Sequence, residues 1–149
     1  PPDPERDMAQ TFVFIRDIKK INPAMEIVLY TYTPVPMAGP LFSHASKMGF
    51  TFPTTLEEWA SDKWRQLSMR RGDGIPWLDQ TVRRRVRNFE RVLNAFYPTV
   101  TDRRLTPARR ALLKTISAWR YALRWYTAPY ELRALHRLMQ YQRPETTGF

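Results

Sequence analysis

Met8, Phe12, Ile15, Ile18 and Ile21 recur at three- and four-residue spacing and share one helical face. Pro4 with Glu5 and Asp7 suits a first helical turn, and Asn22-Pro23 closes the pattern, so the spacing predicts a helix with a single apolar face. The period then disappears. Residues 26–33 (EIVLYTYT) crowd β-branched and aromatic side chains into eight positions, which predicts a strand buried on both faces, as in a parallel sheet. Thr33-Pro34-Val35-Pro36 and Gly39-Pro40 interrupt regular structure, because proline lacks a donor and glycine reaches positive φ. They predict a stiff loop leaving the C-terminal end of that strand. Residues 41–48 predict a short helix stopped by Gly49.

From residue 54 onward the pattern is helical. Thr54 and Thr55 with Glu57 and Glu58 form overlapping capping boxes before one helix bearing Trp59, Trp64 and Leu67, closed by Arg71-Gly72-Asp73-Gly74. Val82, Val86, Phe89, Leu93 and Phe96 make a second stripe, surrounded by Arg83, Arg84, Arg85, Arg87 and Arg91 and followed by Pro98. Thr106-Pro107 is a cap and first-turn pair opening a helix whose apolar face is predicted at Leu112, Ile116, Trp119 and Leu123. After Pro129 a last helix carries Leu132, Leu135 and Leu138.

Composition narrows the class. A chain of 149 residues with 43% hydrophobic and 13% aromatic residues can build a core, and its length suits one domain. The formal net charge of +10 is uneven: residues 1–60 carry 5 basic and 7 acidic side chains, a net of −2, and residues 61–149 carry 19 and 7, a net of +12. Having no cysteine, the chain forms no disulfide and supplies no thiolate to a nucleophile, zinc or iron-sulfur centre. No apolar run approaches the length of a membrane span, and the first seven residues are unlike a signal peptide, so a cytoplasmic location is expected. A chain that begins with Pro1 is also expected to be part of something longer. His44 and His136 are isolated, and no Walker loop, GxGxxG or GxSxG motif occurs.

Chemistry is best sought at the junction of strand and loop, residues 30–36, because active sites of parallel α/β folds lie where strands end. A purely structural turn stiffened by two prolines accounts for the same residues. A second candidate is the pairing of the arginine-rich helix with the run WRYALRWY at 119–126, which could bind phosphates and stack on bases or lie on an anionic membrane. Such a module requires Arg83, Arg87, Arg91, Arg120 and Arg124 on one face. The core spacing of Trp119 and Leu123 counts against nucleic acid.

One resemblance joins these features. The turn Pro2-Asp3-Pro4-Glu5, the helix with Thr11-Phe12 and Phe14-Ile15, EIVLYTYTPVP, and then Gly39-Pro40-Leu41-Phe42 through Ala45 to Gly49 follow one another in order. This succession resembles the late barrel of radical S-adenosylmethionine enzymes, in the branch with an N-terminal cobalamin-binding domain, related to anaerobic magnesium-protoporphyrin ester cyclases and radical methylases. The inserted Met37-Ala38 and Pro40 in place of threonine are departures from that pattern. Trp77-Leu78, residues 94–99 and Trp119-Arg120-Tyr121 are similar to the helical extension that follows the barrel.

The resemblance implies a predominantly α, α/β fragment: residues 1–50 as the last helix-strand unit of a partial (β/α) TIM-like barrel and 51–149 as an all-α extension. It implies a full-length methylase or cyclase with a 4Fe-4S cluster, S-adenosylmethionine and cobalamin, all held by domains upstream. No catalytic residue would lie in this segment. Its partners would be the upstream barrel and cobalamin domains and a small-molecule substrate. Tyr30, Thr31, Tyr32, Thr33, Pro34 and Pro36 would line the cofactor or substrate cavity. Alternation places Ile27, Leu29, Thr31 and Thr33 on one face and Val28, Tyr30 and Tyr32 on the other. The first set is assigned to the cavity and the tyrosines to the flanking helices.

Overall fold

The computed structural model describes residues 3–29, 40–68, 79–98 and 105–139. These contain seven helices: α1 (Pro4–Ile21), α2 (Pro40–Lys47), α3 (Leu56–Trp59), α4 (Asp62–Ser68), α5 (Gln80–Phe96), α6 (Pro107–Leu123) and α7 (Tyr130–Met139). Contacts divide the chain into two compact units, one of residues 1–4 and 30–80, the other of 5–29 and 81–149.

In the smaller unit, α2 ends in a Schellman motif. Phe50 N–H donates to the Ala45 carbonyl and Gly49 N–H to that of Ser46, with Gly49 at φ 84°. That reversal folds Phe50 back onto Ala45, and Met48, Phe52 and Trp64 pack around the pair. The capping signal at Thr54 and Thr55 operates as its spacing implies. Thr55 Oγ1 accepts from Glu58 N–H, and the Glu58 carboxylate accepts from Thr54 N–H. The single helix expected beyond it is two, α3 and α4, because Ser61 caps the second: its Oγ accepts from Trp64 N–H.

In the larger unit, α1, α5, α6 and α7 enclose one core built on Ile15, Phe89, Val92, Leu93, Leu113 and Leu132. Phe12 of α1 stacks on Phe89 of α5 with ring centres 3.8 Å apart, and Tyr126 meets both rings edge-on. Arg16 ties α1 to the end of α6, donating to the Tyr121 carbonyl and the Tyr126 hydroxyl while its guanidinium lies 4.1 Å over the Tyr121 ring. Thr106 caps α6 by accepting from Arg109 N–H, with Pro107 in the first turn. Thr106→Ala is expected to cost about 1 kcal/mol, read as a lower thermal midpoint.

Three expectations are corrected. No strand occurs among the described residues. Positions 26–29 of the expected strand are irregular, because a strand requires a pairing neighbour and none is present there; positions 30–33 lie outside the described residues. Second, α6 does not bury the face predicted from its apolar spacing. Leu112, Trp119 and Leu123 are 44%, 42% and 69% exposed, while Leu113, Ser117, Arg120 and Tyr121 are inside. Ser117 enters the core by donating its hydroxyl to the Leu113 carbonyl, and Arg120 enters because it is paired. Third, Leu138 of α7 points outward while Leu132 is fully buried.

Candidate functional site

The six residues singled out as cavity lining, Tyr30, Thr31, Tyr32, Thr33, Pro34 and Pro36, lie outside the described residues, as does Arg71-Gly72-Asp73. The approach to them is visible. Ile27 and Leu29 are half-buried against the helical core. Ile27 and Leu29 thus pack on the helices rather than facing a cavity, Val28 is half-buried without joining that core, and Thr31 and Thr33 of the same set lie outside the described residues. The backbone groups of Ile27, Val28 and Leu29 make no hydrogen bond to any described residue.

Beside this segment lies a shallow cleft lined by Lys19, Pro23, Met25, Glu26, Asn94 and Tyr97, about large enough for a single water. Lys19 closes its floor. The ammonium is buried, donates to the carbonyls of Pro23 and Met25, and sits 5.0 Å over the Tyr97 ring. Burial holds its pKa below the ordinary 10.5, against the opposing pull of Glu26. These bonds anchor the turn after α1, and the cleft is too small to hold a cofactor or substrate. Among the described residues no group of three His, Asp or Glu side chains could hold a metal ion. With no cysteine, the chain supplies no thiolate to a cluster.

Among the described residues, the non-glycine positive φ angles both fall in the α6–α7 corner. Arg124 and Ala128 have positive φ, 55° and 42°, a conformation costly for residues with a Cβ. Trp125 N–H donates to the Arg120 carbonyl, closing α6 as glycine usually does elsewhere. Inside the corner the buried Arg120 guanidinium donates to the carbonyls of Trp125, Thr127 and Ala128 and pairs with Glu131 through both carboxylate oxygens. Burial pushes the Glu131 carboxyl up, but hydrogen bonds from Arg120 and from its own backbone N–H, with the Arg120 charge, outweigh this and hold it below the ordinary 4.5. Burial and the neighbouring Tyr97 push the Tyr121 phenol far up, so it stays neutral in the core.

Arg120 is therefore withdrawn from the basic face on which a nucleic-acid module would need it. Its clamp instead sets Trp125 edge-on to Trp119, ring centres 5.5 Å apart, with both indoles partly exposed. Apolar spacing alone missed the clamp; the only acidic side chain between 105 and 139, Glu131, was the available signal for a buried arginine nearby.

Compared with known proteins, the chain matches no family model, no curated protein and no solved structure. No helix among the described residues is long and apolar enough to cross a membrane.

Proposed function

We propose that the chain is the C-terminal portion of a cobalamin-dependent radical S-adenosylmethionine enzyme of methylase or cyclase type, with the cluster-binding and cobalamin-binding parts upstream. One observation supports this reading beyond the ordered motifs: an apolar segment, Ile27 to Leu29, with one face on helices and its backbone hydrogen-bonding groups open among the described residues. A barrel's last strand, separated from its neighbours, has these properties. In the intact protein that segment would pair with upstream strands, and residues 30–36 would border the cofactor and substrate. The helices would help exclude water, which protects a carbon radical from side reactions. This cytoplasmic enzyme would take its cluster, S-adenosylmethionine and cobalamin from the upstream domains.

The test is anaerobic turnover by the complete reading frame, measured as 5′-deoxyadenosine released from S-adenosylmethionine with a reductant. Val28→Arg places an unpaired charge on a half-buried side chain that does not join the helical core, and is expected to lower that release at least roughly tenfold with the helical content unchanged. Release unaffected by Val28→Arg would remove this segment from the barrel.

A further inference from the structure

We propose that the outer face of α6, together with Trp125, docks on the surface of an anionic lipid bilayer. Leu112, Trp119 and Leu123 stand at i, i+7 and i+11 and form one exposed stripe, which Trp125 extends beyond the helix end. At 3.6 residues per turn, the arc that runs from Ala111 through Ala122, Thr115 and Ala108 into this stripe holds no charged residue. The exposed cations Arg109 and Lys114 flank that arc, and Arg120 is buried in the corner.

The occupant follows from what surrounds the stripe. Residues 105–139 carry seven basic side chains and one acidic, and that acid is committed to Arg120. Arg124 and Arg137 are exposed. An uncharged apolar strip edged by arginines, with two indoles among its exposed side chains, matches the boundary of a bilayer. Leucines enter the acyl region, tryptophans sit at the headgroups, and cations meet lipid phosphates. A second copy would fit the strip but would bring together two chains of net charge +10. Nucleic acid would require cations where α6 presents alanine and leucine. The strained corner gains a purpose on this reading, since the Arg120 clamp fixes Trp125 beside Trp119.

The experiment is co-sedimentation of the intact chain with vesicles of phosphatidylcholine alone and of phosphatidylcholine mixed with phosphatidylserine. Binding is expected to the mixed vesicles and to weaken with salt. Leu112→Gln with Leu123→Gln, both at exposed positions, should bind them roughly tenfold or more weakly at unchanged helical content. Trp119→Phe with Trp125→Phe should abolish the part of the fluorescence quenching by brominated lipid that comes from these two indoles. Three results overturn the proposal: no binding to either vesicle, binding indifferent to the two glutamines, or a dimer in solution that the glutamines dissolve. The outcome is independent of the radical-enzyme reading, because it needs no cluster and no turnover.

Discussion

Replacing Phe89 by alanine should destabilise the larger unit by about 3–5 kcal/mol. The ring is 0% exposed, stacked on Phe12 at 3.8 Å and met edge-on by Tyr126 at 4.9 Å, so truncation removes a large buried area and two aromatic contacts at once. Neither neighbour can simply collapse into the space. Phe12 is carried by α1, and Tyr126 is held by its hydroxyl, which accepts from Arg16. Phe89→Leu, which keeps most of the volume, should cost under about 1.5 kcal/mol. Urea unfolding followed by circular dichroism separates the two. If alanine cost no more than leucine, the docking of α1 on α5 would be wrong.

The second large effect is expected at Arg120. Removing one member of a buried ion pair costs about 3–5 kcal/mol, and Arg120→Met should fall near the lower end because the Glu131 side chain, 34% exposed, regains some water. Three carbonyls of the corner also lose their donor, and with it the restraint on Arg124 and Ala128. Arg120→Met with Glu131→Leu should cost less than Arg120→Met alone, since no unpaired carboxylate remains. The pH dependence has a definite sign. A carboxyl held below 4.5 in the folded chain stabilises it above that value, and the contribution is lost as pH falls through the lower, folded value. Acid titration of the Glu131→Gln variant should lack this part of the loss.

Local signals carried the helices well. The Thr55 and Thr106 caps and the Gly49 stop each depend on residues within a few positions of one another and form where their spacing implies, while the α1 stripe holds at Met8 and Ile15 but not at Ile21, which is 86% exposed. The break between α3 and α4 was equally local, marked by Ser61 ahead of Asp62, but the apolar residues Trp59, Trp64 and Leu67 on either side were read as one helix. What sequence could not order was polarity inside the core. Apolar counting placed Leu112, Trp119 and Leu123 inward and Arg120 outward, because the pair that reverses this is formed with Glu131 of another helix. The strand reading depended on neighbours even further away, and the candidate cavity residues at 30–36 lie outside the described residues. Ile27 and Leu29 pack on the helical core, a placement that counting along the chain did not supply.

The most direct test of the radical-enzyme assignment is electron paramagnetic resonance of the complete reading frame, expressed anaerobically, reconstituted with iron and sulfide and reduced with dithionite. The assignment predicts a reduced-cluster signal whose shape changes on adding S-adenosylmethionine. An upstream sequence without the three clustered cysteines, together with a spectrum lacking that signal, would contradict it.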